Sequence, residues 1–248
     1  MHGDDDRELV QKTGYPWGAI GRINNTLGPF CTGTLIGPRH VLTAAHCLWN
    51  RSTGKWIPPC ALHFVAGYQR GSYLAHSLVA SYEVAGNKAA KPKGRFERAQ
   101  DWAILLLAKD LGDQITPLPT LPFDSTLVDQ YRQLGTFVQA GYSRDRPHML
   151  TKNSQCTIAG FRRDGHIAMH ECDATFGDSG SPLLLEQDGR YRIVAMLVAI
   201  NRKNGKGIAV TGKAFHERAR QLDGTPPAEG GIKAGQGPAH GNDIGPLS

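Results

Sequence analysis

Three short stretches of this sequence carry side chains suited to one piece of chemistry: Thr43-Ala44-Ala45-His46-Cys47, Asp101-Trp102-Ala103-Ile104-Leu105 and Gly177-Asp178-Ser179-Gly180-Ser181-Pro182. A serine hydroxyl is a poor nucleophile near neutral pH. It becomes a strong one when an imidazole takes its proton and a buried carboxylate holds that imidazole in one tautomer. The three stretches offer His46 as base, Asp101 as orienting carboxylate and Ser179 as nucleophile, in that order. Asp101 stands directly before the apolar run Trp102-Ala103-Ile104-Leu105-Leu106-Leu107, which makes it a candidate for burial, and a buried carboxylate needs a partner. Gly177 and Gly180 flank the serine; small residues there allow a strained turn that exposes the hydroxyl. The same turn lets the N–H groups of Gly177 and Ser179 converge as an oxyanion hole. Singly, each stretch has a plainer reading: a core histidine beside a cysteine, a strand-starting carboxylate, a glycine-rich turn. Together they point to a serine hydrolase.

Elements able to hold these groups follow from the apolar pattern. Short alternating runs separated by turn residues read as strands over 19–23, 31–36, 40–43, 62–68, 77–84 and 102–108. A second series covers 136–142, 154–161, 166–170, 182–185, 191–200 and 207–211, after a proline-punctuated connector at 116–123. A terminal helix is expected over 213–222. Residues 1–12 are acidic and polar and read as a loose arm. From Asp223 the composition falls to Gly, Pro, Ala and polar residues, which predicts disorder to Ser248. The division expected is an arm at 1–17, a first barrel at 18–115 with His46 and Asp101, a second barrel with the helix at 116–222 carrying Ser179, and a tail at 223–248. A long basic loop at 86–100 precedes Asp101, placed where loops often shape substrate access.

The chain of 248 residues carries 30 glycines, 15 prolines and a formal charge of +6. The glycine and proline content favours strands joined by turns. The basic residues gather in the 86–100 loop (Lys88, Lys91, Lys93, Arg95, Arg98) and near Arg202, Lys203 and Lys206, where solvated loops explain them; no nucleic-acid-binding signature accompanies them. The longest apolar runs, 102–108 and 193–200, fall far short of the ~20 residues of a spanning helix. Met1 is followed by His2, Gly3 and three aspartates, with no apolar export signal; the reading is a mature chain whose signal has been removed, from a secreted or periplasmic protein. Five cysteines argue for an oxidising compartment with one left over. Cys156 and Cys172 bracket an apparent hairpin, with the same separation of sixteen positions as Cys31 and Cys47, and are expected to pair. Cys60, in Pro58-Pro59-Cys60, has no evident partner and is either a buried apolar residue or an exposed thiol, the former being favoured. Cys31, His46 and Cys47 lack any CxxC pair, so zinc is not expected, nor any other metal or cofactor.

On the three motifs, the chain resembles the chymotrypsin-like serine proteases, and most nearly their secreted bacterial trypsin-like or V8-like members, over residues 17–222. The order His, Asp, Ser separates it from subtilisins and from α/β-hydrolases. The resemblance implies an all-β fold of two antiparallel six-stranded β-barrels with a C-terminal helix and the site in the cleft between them. It implies a Cys31–Cys47 disulfide, an acyl-enzyme mechanism and a polypeptide substrate. In trypsin-like members the aspartate at Asp178 pairs with a new N-terminus released by cleavage; Arg7-Glu8 is a conceivable cut, although Glu8-Leu9-Val10 departs from the usual apolar start. The substrate pocket would draw on Asp173, Ala174, Phe176, Val198, Ala199 and Ile200. Asp173 lies at the offset where trypsin carries its acid for Arg or Lys, but its spacing from Cys172 differs, and it reads equally as a loop carboxylate. No His stands on the 198–200 strand, unlike glutamate-specific relatives, although Thr175 is near. The reading leans to cleavage after basic residues, with small apolar residues close behind. A catalytically silent binding module, blocked by Ile200, Phe176 or the 86–100 loop, and a precursor that must first be cut are the alternatives.

Overall fold

The computed structural model describes residues 5–26, 28–86, 96–201 and 204–223. The tail beyond 223, the basic residues Lys88, Lys91, Lys93 and Arg95, and Arg202 and Lys203 lie outside the described residues.

Six strands of the first lobe close into a barrel in the order Ile20–Asn25, Cys31–Gly37, His40–Thr43, Ala103–Leu107, Ala75–Val84 and Leu62–Ala66. Ile23, Leu35, Val41, Leu62, Phe64 and Leu105 are buried inside it. Removing such side chains from water stabilises the fold by about 1.5–3 kcal/mol each before the entropy of ordering them is counted.

The second lobe is an eight-stranded antiparallel sheet running Glu8–Leu9, Thr151–Asn153, Thr136–Gly141, Pro182–Gln187, Arg190–Ile200, Gly207–Thr211, Ile167–His170 and Ile158–Arg162. All six strands expected in this half are present. Two more extend the sheet at one edge, because Thr151–Asn153 pairs with Thr136–Gly141 and then receives Glu8–Leu9. Residues 5–10 are therefore docked against the second lobe, which corrects the expectation of a loose arm. Polar composition suggested a solvated segment, whereas its charges are spent on ion pairs across the chain.

The helix Gly212–Asp223 agrees with expectation, with Phe215 and Ala219, one turn apart, on its buried face. Arg218 reaches Glu83 of the first barrel with two bonds of 2.7 Å, so the helix ties the lobes together. A short helix, Val128–Leu134, and a small hairpin, Trp49–Asn50 with Lys55–Trp56, were not anticipated. The fold is all-β with two barrel-type sheets and a terminal helix. No helix among the described residues is long and apolar enough to cross a membrane.

Candidate active site

Two strand ends bring His46 and Asp101 together. His40–Thr43 pairs antiparallel with Ala103–Leu107, and Thr43 faces Ala103. The chain leaving Thr43 and the chain entering Ala103 therefore emerge at the same barrel rim. His46 sits in the single turn Ala45–Leu48, and Cys47 of that turn is bonded to Cys31, with a Cα separation of 6.2 Å. Asp101, 5 % exposed, uses both carboxylate oxygens on the histidine: Oδ1 accepts from the backbone N–H of His46 at 2.8 Å, and Oδ2 lies 2.7 Å from Nδ1. An acceptor-only carboxylate at Nδ1 places the ring proton there and leaves Nε2 as a base.

Ser179 comes from the other lobe on a turn built by glycines. Gly177 has φ +100° and Gly180 φ +89°, left-handed conformations that side-chain-bearing residues rarely adopt. A Cβ on Gly180 would also run into the Thr32 carbonyl and the Thr43 hydroxyl, both in the first barrel. That close approach seats the serine beside the histidine turn: the Ser179 carbonyl accepts from Thr32 N–H at 2.9 Å and lies 3.9 Å from Cys47 Sγ. Thr32 Oγ1 also donates to the Gly177 carbonyl at 3.1 Å, and Gly180 N–H bonds to Leu197 O at 2.8 Å. The half-buried Ser179 is thus clamped from both lobes.

Asp178 is 2 % exposed, and its Oδ2 accepts from Ser143 Oγ at 2.7 Å and from Thr175 N–H at 2.8 Å. Burial pushes its carboxyl up to about 6, against those hydrogen bonds and the nearby Arg7 charge, which lower it. Its neighbours are side chains and backbone of the chain itself.

The residues expected to line a pocket separate into three groups. Ala174 and Val198 are buried, and Ala199 and Ile200 are half-buried where Arg190–Ile200 meets Gly207–Thr211. Phe176 is 67 % exposed, with the Arg144 guanidinium 5.9 Å from its ring centroid, so it projects outward from the turn that carries Ser179. Asp173 is buried, and its Oδ2 accepts the backbone N–H of Asp6 at 3.0 Å. That carboxylate is engaged by the docked 5–10 segment.

Cys156 and Cys172 are bonded, 5.2 Å apart at Cα. Cys60 is a free, exposed thiol, which corrects the favoured buried reading: it lies in the short turn Pro59–Ala61, none of whose residues is buried. The sulfurs of Cys31 and Cys47 and a His46 nitrogen cluster within 4.8 Å, but the disulfide consumes both thiolates that a metal would need. Two features escaped sequence reasoning. An aromatic group of Trp49, Trp56 and Phe96 stands beside His46, with Phe96 6.4 Å from the imidazole between ring centroids. Two tryptophans bracketing one short turn were the available signal. The other is the ionic docking of residues 5–10, which left no local signal.

Comparison with protein families matches Trypsin over residues 6–217. Among curated proteins, a glutamyl endopeptidase of Bacillus licheniformis is 46% identical over 55 residues, 22% of this chain and 17% of that protein. A CLIP domain-containing serine protease B15 of Anopheles gambiae is 25% identical over 229 residues, 77% of this chain and 60% of that protein. The chain thus spans less than two thirds of the length of each. Among solved structures, a Glu endopeptidase in complex with MPD superposes with a TM-score of 0.72 at 20% identity, covering 90% of this chain and 99% of that one. Protease Anisep from Arthrobacter nicotinovorans gives 0.64 at 17% identity, covering 86% and 99%. These last two likenesses bear on the fold.

Proposed function

Because the chain belongs to the trypsin family of serine proteases, we propose that it is a secreted serine endopeptidase whose nucleophile is Ser179, whose general base is His46 and whose orienting carboxylate is Asp101. The observation that carries this reading is the pair of hydrogen bonds that the Asp101 carboxylate accepts from His46, at the backbone N–H and at Nδ1. It fixes ring position and tautomer together.

Ser179 Oγ attacks the scissile carbonyl carbon while its proton passes to His46 Nε2. The carbonyl π pair moves onto oxygen, and the resulting oxyanion lies toward the N–H groups of Gly177 and Ser179, each such donor contributing about 3–4 kcal/mol. The C–N bond then breaks, the amine leaves with the proton from His46, and the acyl group stays on Ser179. Water, deprotonated by His46, attacks the acyl carbon and releases the acid and the free serine. These steps use side chains and backbone of this chain alone.

For the residue before the cut, small side chains rank ahead of basic ones. Asp173 already accepts from Asp6, and the branched Ile200 stands on the strand that would face the substrate. Two disulfides support an oxidising destination. No particular observation favours the silent-module reading, since Phe176 points outward and all three triad side chains are present. Digestion of a peptide library by the purified chain, with Ser179→Ala as control, tests the proposal. Cleavage after small residues that vanishes in the variant is expected; cleavage that persists in the variant overturns it, and strict cleavage after Arg and Lys returns Asp173 to the pocket.

A further inference from the structure

A charged cluster outside the triad joins the 5–10 segment to the loop beside the nucleophile. Arg7 has a side chain only 2 % exposed, and its guanidinium forks onto two carboxylates. Nε donates to Asp5 Oδ1 at 2.8 Å and Nη2 to Asp5 Oδ2 at 3.0 Å; Nη1 donates to Asp145 Oδ1 at 3.1 Å and Nη2 to Asp145 Oδ2 at 2.5 Å. Arg146 closes the ring, donating to Asp5 Oδ2 at 2.6 Å and to the Arg7 carbonyl at 3.0 Å. The backbone on either side is tied down as well. Asp6 N–H bonds to Asp173, Glu8 and Leu9 pair with Lys152 and Thr151, and Val10 N–H bonds to Leu150 O at 2.9 Å.

What this strap holds is the support of the nucleophile turn. Asp145 belongs to the loop that follows Thr136–Gly141. In that loop Ser143 donates to Asp178, and Arg144 N–H bonds to the Phe176 carbonyl at 2.6 Å. Asp173, gripped by Asp6, begins the segment leading to Ser179. Both walls of the turn that carries Gly177 and Ser179 are therefore anchored to residues 5–7. If Arg7 served only to fill space, an apolar side chain of similar size would do so without the cost of burying a charge. The bidentate geometry on both sides instead specifies where Asp145 must sit.

We infer that residues 5–10 form a built-in strap that sets the nucleophile turn in its reactive shape, with Arg7 as the positioning residue. The chain is then competent with the strap joined, and cutting the Arg7–Glu8 bond lowers turnover. The inference rests on the triad reading of Ser179. It runs opposite to activation by cleavage: the guanidinium beside Asp178's supporting loop arrives on a side chain, with no new terminus needed.

The test compares full-length wild type with Arg7→Leu, Arg7→Lys, Asp145→Asn and Lys152→Ala. It reads the rate at which a fluorophosphonate labels Ser179, kcat and KM on a cleaved library peptide, and the thermal midpoint. Loss of one oxyanion donor lowers turnover about 10²–10³-fold, which bounds the effect of a misplaced turn. Arg7→Leu, which takes from Asp5 and Asp145 their shared partner, is expected to lower the thermal midpoint but, while still folded at the assay temperature, to label about 10- to 100-fold more slowly. The loss should fall on kcat with KM nearly constant, and Arg7→Lys should recover part of it. Lys152→Ala, which removes the Glu8 ion pair, the 3.4 Å bond to Ser154 Oγ and the contact over the Trp17 ring but keeps the backbone pairing with Glu8, should match wild type in labelling rate. Should Arg7→Leu fail to fold, Asp145→Asn carries the same expectation with a smaller loss. Wild-type labelling rates in both Arg7→Leu and Asp145→Asn overturn the strap, as does a wild type that labels only after cleavage following Arg7. A folded wild type that never labels, cut or uncut, removes the triad reading along with it.

Discussion

The two lobes contribute to the site in different ways. The first holds His46 and Asp101 on a closed barrel, where a strand register alone, Thr43 opposite Ala103, brings the two stretches to one rim. The second holds Ser179 on a turn with two left-handed glycines, and it keeps that turn in place with contacts from far away in sequence: Thr32 from the other lobe, Ser143 from a neighbouring loop, and the 5–10 strap behind it. His46 and Asp101 sit just beyond the ends of two paired strands, whereas Ser179 depends on tertiary support. Changes in the first lobe should act through chemistry, and changes in the second through placement.

The largest effect tests the first lobe. Asp101→Asn keeps the shape but supplies a donor where the histidine needs an acceptor, so the ring takes the wrong tautomer. Turnover is expected to fall about 10⁴-fold with little change in stability, as in other triads of this kind; steady-state kinetics beside a thermal melt will check it.

The disulfides sharpen the comparison because they close loops of equal length, with a separation of 16 in each. The chain-entropy model assigns each about 3 kcal/mol. Replacing Cys31 and Cys47 by alanine should cost that stability and also activity, because Cys47 belongs to the histidine turn. Replacing Cys156 and Cys172 should cost similar stability and a larger share of turnover per folded molecule, because Cys172 adjoins Asp173 at the start of the segment leading to Ser179. Equal activity losses in the two double variants would erase the distinction between the lobes.

The sequence showed the regular parts of this arrangement and not the supports. Strands such as Cys31–Gly37 and Arg190–Ile200 announce themselves by buried runs that turn residues bound, and His46, Asp101 and Ser179 stood out by type and order. Thr151–Asn153 is three residues long and Val128–Leu134 seven, too short for a period to register. The strap was misread because Asp-Asp-Arg-Glu looks like a solvated run; its partners Asp145 and Arg146 lie about 140 positions away, and nothing local reveals them. Asp173 met its partner in the same hidden segment, which its offset from Ser179 does not reveal. Cys60 looked like a buried apolar residue, but its two preceding prolines mark a surface turn.

Glycine substitutions give a finer contrast. Gly180→Ala meets both a left-handed φ and the Thr32 carbonyl, so at least a tenfold loss of turnover with a lowered melting point is expected, read by kinetics and calorimetry. Gly54→Ala, at φ +61° in the first lobe with open space around it, should cost about 1 kcal/mol and leave turnover unchanged. Equal turnover losses would show that backbone strain, and not the inter-lobe contact, sets the effect.

The dependence of stability on pH gives a last contrast. His170 in the second lobe is wholly buried, with both ring nitrogens unpartnered among the described residues, and burial pushes its pKa down to about 4. The unfolded chain binds this proton near 6.5 and the folded chain does not. Stability from His170 is therefore complete above about 6.5 and declines as pH falls to about 4, by roughly 3 kcal/mol at the limit. Asp178 runs the other way. Its carboxyl is raised to about 6, so its protonated form stabilises the fold below about 4, and that contribution fades as pH rises through 6. His170→Phe should flatten the acid side of a denaturation series between pH 6.5 and 4, and an unchanged slope would contradict the burial argument.

The central claim is that Ser179 is an activated nucleophile held by His46 and Asp101. Incubation of the purified, folded chain with a fluorophosphonate, followed by mass mapping of the adduct, tests it most directly. The account predicts a single adduct on Ser179, with fluoride displaced by the serine oxygen, absent in Ser179→Ala and formed far more slowly in Asp101→Asn. A folded chain that forms no adduct, or an adduct at equal rates in wild type and Asp101→Asn, would contradict it.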